Sequence, residues 1–170
     1  MEQLGKLLQA YNMNIRRNST NKVAKNFTES EIFNASFGTT GINSFDFSDK
    51  TITGAQIIRD YFNEPLRVNA SYRTVQHELK KNRSGQGQHP KKTALDLSFQ
   101  NENTNLKYHQ EILKKGELYN LLREAGINGF GLYDNFAHID SRAGGNQPDN
   151  INGNFAFWDS RVTTKKKLPA

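Results

Sequence analysis

Gly129-Phe-Gly-Leu-Tyr-Asp-Asn-Phe-Ala-His-Ile139 reads as two short strands around an Asp134-Asn135 turn, because apolar runs broken by turn-forming residues mark a hairpin. Upstream, residues 107–125 carry Ile112, Leu113, Leu118, Leu121 and Leu122 on one side, and Gly126 follows as a C-terminal cap. That spacing predicts the longest helix of the chain. Residues 94–99 alternate as a strand, as do Leu66, Val68 and Ala70. Ile57, Ile58, Tyr61 and Phe62 mark an amphipathic helix over 52–63, closed by Glu64-Pro65. Residues 74–81 read as a helix, and Ser84-Gly-Gln-Gly-Gln-His-Pro90 as a loop. Thr28 and Glu31 fit a capping box that opens a short helix.

The remaining segments are less patterned. Residues 38–50 read as a loop, although Ile42, Phe45 and Phe47 must bury something, and residues 14–25 as a polar linker. Leu4, Leu7, Leu8 and Tyr11 predict a short helix over 2–13. Short strands mixed with helices in no βαβ order predict an α+β fold, with a small, mostly antiparallel sheet and helices packed on one side. The expected organisation is an N-terminal helix and linker (1–25), one domain (26–161) and a basic C-terminal tail (162–170).

Composition narrows the chemistry. With no cysteine among 170 residues, disulfides, thiolate zinc sites and Cys nucleophiles are excluded. Any metal must be held by His and carboxylate, a donor set more often catalytic than structural. The formal charge is +6, of which three units sit in Lys165, Lys166 and Lys167. That tail could attract an anionic polymer or simply be solvated. Basic residues do not alternate with aromatics in a stripe, which argues against nucleic acid as partner. No apolar run is long enough to span a bilayer, and the N-terminus shows no signal-peptide pattern.

His77 and His109 fall in predicted helices among polar neighbours and are expected at the surface. His89 lies in the Gly/Gln loop, Asp96 follows on a strand, and His138 lies on another strand with Asp140 and Arg142 on the same face. His89, Asp96 and His138 could converge on one metal at the end of a sheet, leaving a position for water. Equally, Asp96 could cap a turn and His138 be a hydrogen-bonded core histidine. Spacing alone does not choose.

The ordered set Val68-Asn-Ala-Ser-Tyr-Arg-Thr74, Gly87-Gln-His89, Ala94-Leu-Asp96, Gly129-Phe-Gly-Leu-Tyr133 and Phe136-Ala-His-Ile-Asp-Ser-Arg142 resembles the zinc D-alanyl-D-alanine carboxypeptidases. That family includes phage L-alanyl-D-glutamate endolysins and shares its fold with the hedgehog signalling domain. The resemblance spans about residues 26–161; Phe27-Thr-Glu-Ser-Glu-Ile-Phe33 and Trp158 also match. It implies Zn2+ held by His89, Asp96 and His138, and Arg73 stabilising the oxyanion. It also implies substrate contacts from Ser71, Tyr72 and Gln88.

Three departures from the family pattern stand out. Gly87 replaces the serine two before the first histidine, and Lys92 replaces the glycine three after it. The acidic residue or histidine that such proteins place two or three before the last histidine is here Phe136 or Asn135. Asp140 is the preferred general base and Asp134 the alternative. The implied activity is zinc-dependent hydrolysis of a stem-peptide or cross-link bond of peptidoglycan, as carboxypeptidase or endopeptidase. The alternative is a non-catalytic wall-binding or virion module on the same fold, with the N-terminal segment as an assembly contact. The expected location is the cytoplasm until release to the cell wall, or the virion.

Overall fold

The alternating apolar residues at 66–70 and 94–99 do form strands, because their buried members face one core. The computed structural model describes residues 12–151 and 153–170. In chain order, β1 (Asn12–Arg16), β2 (Lys22–Ala24) and β3 (Phe27–Thr28) lead into helix α1 (Glu29–Asn34). Then come β4 (Ser44–Ser48), α2 (Asp49–Phe62), β5 (Leu66–Ala70), α3 (Val75–Lys80) and β6 (Ala94–Phe99). Helices α4 (Glu102–Leu113) and α5 (Glu117–Glu124) precede β7 (Gly129–Leu132), β8 (Ala137–Asp140) and β9 (Ala156–Asp159). The result is α+β, as expected. The main sheet has the order β5-β6-β8-β7-β9; its pairs are antiparallel except β7–β9, which is parallel.

Several segments differ from the sequence expectation, each for a packing reason. The linker expected over 14–25 contains the end of β1 and all of β2, and the loop expected over 38–50 contains β4. β1 pairs with β4 so that Ile15 faces Phe45, and both are buried; this long-range pairing leaves no local signal. Of the helix expected over 2–13, residues 2–11 lie outside the described residues, while Asn12 and Met13 belong to β1. The helix expected over 107–125 is two helices. Lys115 takes φ 51° at the break, and Glu111 Oε2 accepts from Leu118 N at 3.3 Å to start α5. Thr28 caps α1 by accepting from Glu31 N at 3.2 Å.

The core joins Phe33, Phe45 and Phe47 on one side to Leu95, Phe130, Ile139, Tyr119 and Phe155 on the other. Residues after β9 are anchored rather than solvated throughout. Asp134 accepts from the backbone N–H of Val162, Thr163 and Thr164, and Thr164 is buried. Among the described residues, no helix is long and apolar enough to cross a membrane.

Candidate metal centre

Sheet register builds most of the site. Ala70, Asp96, His138, Gly131 and Trp158 are successive partners in one row across all five strands. Side chains opposite one another on neighbouring strands share a face, so Asp96 and His138 meet without any loop to place them. His89 arrives from the turn between α3 and β6. Its Nε2 lies 3.2 Å from Asp96 Oδ1, and His138 Nδ1 lies 3.1 Å from the same oxygen. The three candidate ligand atoms fall within 4.8 Å of one another, and all three residues are buried.

The donor set fits a small divalent cation. Ligand atoms about 2.0–2.2 Å from a tetrahedral ion stand roughly 3.3–3.6 Å apart, close to the two histidine–Asp96 separations. Each imidazole also has its other nitrogen engaged. His89 Nδ1 donates to the Ser71 carbonyl at 2.7 Å, and His138 Nε2 donates to Asp140 Oδ2 at 2.7 Å. The nitrogens facing Asp96, His89 Nε2 and His138 Nδ1, hydrogen-bond to its carboxylate in this structure; loss of those protons to a cation would leave both as lone-pair nitrogens in the orientation that ligating imidazoles require.

Burial would raise the Asp96 carboxyl, but hydrogen bonds from His138 and His89 hold it well below its ordinary value. Burial likewise opposes a charged His138, yet the bonds to Asp140 and Asp96 win and raise its pKa. Asp140 is fully buried. Despite that burial, Arg142 and His138 lower its pKa to about 2.

Two glycines explain the Gly-x-Gly pattern. A Cβ at Gly129 would overlap the Asp140 carboxylate, and one at Gly131 would overlap the Trp158 indole. The indole therefore lies flat enough on β7 to reach His138, with ring centroids 4.9 Å apart, while its Nε1 donates to Tyr133 Oη at 2.9 Å. Gly129→Ala is expected to displace Asp140 and weaken divalent-metal binding by about 10–100-fold, the usual effect of losing a ligand's supporting partner; a chelator-competition titration checks it.

The other expected site residues have mixed positions. Arg73 stands beside the ligands, its Nη1 3.9 Å from Asp96 Oδ2. Ser71 is fully buried; its hydroxyl donates to Ile32 O at 2.6 Å, and its carbonyl accepts from His89 Nδ1. Tyr72 packs on Phe45 at 5.0 Å between ring centroids, and Gln88 Oε1 accepts from Thr93 Oγ1 at 2.8 Å. Lys92 adopts φ 63°, the conformation for which glycine is favoured. Its ammonium lies over the Tyr72 ring at 5.1 Å.

The oxygens of both expected general bases already accept hydrogen bonds. Asp140 binds His138 and accepts three further hydrogen bonds from Arg142. Asp134 is held by backbone N–H groups from 162–164, which lower its pKa to about 2. His109, expected at the surface, is buried, its pKa lowered first by burial and then by Arg161. Sequence reading missed Glu78, a buried carboxylate 3.1 Å from Arg73 Nε. Its only signal was an acidic residue one turn beyond the Tyr-Arg pair.

A His–Asp–His set, two of its members on the sheet and both imidazoles backed by hydrogen-bond acceptors, is a group that could hold a metal ion. The chain belongs to the Peptidase M15 family, which it matches over residues 25–140, more than half its length. Family membership supports a metallopeptidase with a peptidoglycan-related function. No curated protein and no solved structure matches the chain significantly.

Proposed function

We propose that this protein is a zinc peptidase that hydrolyses a stem-peptide or cross-link bond of peptidoglycan, in the manner of a phage-type lytic enzyme. The observation that carries the reading is the convergence of His89, Asp96 and His138 with Arg73 beside them. His89 Nε2, Asp96 and His138 Nδ1 would hold the ion. When bound, zinc supplies Lewis-acid polarisation and an activated water.

The chain's own groups do the rest. Ser71 O and Asp140 keep each imidazole in the ligating tautomer. Arg142 keeps Asp140 ionised, so the second carboxylate adds negative charge behind His138. Arg73, about one-fifth exposed at its side chain, is the donor placed to bind a substrate oxygen as it gains charge. A cationic group there also suits stem peptides, which carry free carboxylates.

A second reading is favoured by one observation: the carboxylates linked to the ligands in the hydrogen-bond and ion-pair network, Asp140 and Glu78, already carry partners. A site without a free proton acceptor would suit a wall-binding or virion module on the same fold. Purified sacculi separate the two. Release of stem-peptide fragments that stops on chelation and returns with zinc is the expected result. Intact sacculi with normal binding, across roughly pH 6–9 around the pKa of a metal-activated water, would select the binding module.

A further inference from the structure

A line of alternating charge runs outward from the ligands. Arg73 Nη1 lies 3.9 Å from Asp96 Oδ2, Arg73 Nε lies 3.1 Å from Glu78 Oε1, and Arg83 Nη1 donates to Glu78 Oε2 at 2.6 Å. Glu78 is buried, at 5% exposure. Local structure puts it there: Thr74 caps α3 by accepting from His77 N at 3.2 Å, and the first turn of that helix carries Glu78 back toward Arg73. Buried carboxylates are costly unless paired, and two guanidinium groups meet this one.

The Arg73 guanidinium is suspended between two carboxylates. Its Nε makes no aligned hydrogen bond to Glu78 despite the short distance, and 3.9 Å is too long for a hydrogen bond to Asp96. It sits in ionic reach of both and is closed onto neither. We propose that Glu78 is a positioning residue that holds Arg73 off Asp96, keeping the ligand carboxylate open to a divalent cation; the inference rests on the metal site described above.

The physical reason is competition for one charge. A guanidinium that closed on Asp96 would form a paired, charge-assisted hydrogen bond with the oxygens a metal needs. In a partly buried site that attraction is much stronger than in water. Neutralising Glu78 has two effects of the same sign: Arg73 loses its outer partner and moves toward Asp96, and the site loses a nearby negative charge. Both weaken cation binding. Arg83 cannot compensate, because it lies on the far side of Glu78 and is half exposed.

Zinc titration of the full chain against a chromophoric chelator tests this without any substrate. Glu78→Gln is expected to bind zinc at least about tenfold more weakly, the scale of a lost supporting partner. Adding Arg73→Met to that variant is expected to restore most of the affinity, because the competing cation is then gone. Should Glu78→Gln not fold, Glu78→Asp replaces it, drawing the charge back by one methylene, with the same rescue expected. Wild-type affinity in Glu78→Gln overturns the proposal. So does equal weakness in the single and double variants, which would mark damage to α3 and not release of Arg73. A wild type that binds no zinc overturns it together with the metal site, whereas a wild type that binds zinc but leaves sacculi intact removes only the proposed peptidase activity.

Discussion

His138→Ala is expected to remove bound zinc and to lower fragment release from sacculi by on the order of a thousandfold or more. Metal Lewis acidity is worth several kcal/mol of transition-state stabilisation, and each 1.36 kcal/mol is tenfold in rate. His138 is the pivot because it faces Asp96 with one nitrogen and Asp140 with the other. Its loss removes a ligand and leaves Asp140 buried with Arg142 alone. Asp140→Asn is expected to be milder, weakening zinc binding about 10–100-fold, since the ligand itself remains. Metal content by elemental analysis, read beside sacculus turnover, checks both. Full zinc occupancy and undiminished turnover in His138→Ala would contradict the ligand assignment.

Arg123→Met is expected to destabilise the fold by about 3–5 kcal/mol, the cost of stripping one partner from a buried ion pair. Arg123 has no exposed surface. It donates to both oxygens of Asp149, at 2.7 and 2.9 Å, and to the carbonyls of Ile127, Ile151 and Gly153. Tyr119 Oη adds a 2.6 Å bond to Asp149. These contacts tie down the segment that passes from β8 across to β9, and with it the approach of Trp158 to His138. For a chain of this size the melting temperature should fall by roughly 10 °C or more. Arg123→Met with Asp149→Leu should recover part of the loss, because the uncompensated carboxylate is then gone.

The same clamp has a pH signature. The Arg123 hydrogen bond is the main reason the Asp149 carboxyl is held well below its ordinary value. A depressed carboxyl contributes stability that is fully present above its unfolded pKa of about 3.9 and is lost as pH falls through the lower folded value. Wild-type stability should therefore decline below about pH 4, and Arg123→Met should lack that part of the decline. Denaturant unfolding curves collected down through this range measure the difference. Parallel acid sensitivity in the two proteins would remove the clamp from the account.

The α+β class, the strands at 66–70 and 94–99, the 129–139 hairpin and the cap at Thr28 were legible because each depends on local periodicity or capping chemistry. The three candidate ligands were legible as residue types in an ordered pattern. Strands β1 and β4 were not, since Ile15 and Phe45 meet only across a long separation in sequence. Nor was the break after Leu113, which depends on a left-handed lysine and a side-chain cap.

By itself the sequence determined which donors were available: with no cysteine, only imidazole and carboxylate could bind a metal, and Gly129 and Gly131 stood ready without a stated purpose. Tertiary structure alone decided which atoms meet. Pairing β6 with β8 set Asp96 opposite His138, and the two glycines proved to be room for Asp140 and Trp158. It also surrounded the oxygens of Asp140 and Asp134 with hydrogen-bond donors. Residue type is local, whereas a lone pair's freedom depends on every donor that the folded chain brings near it.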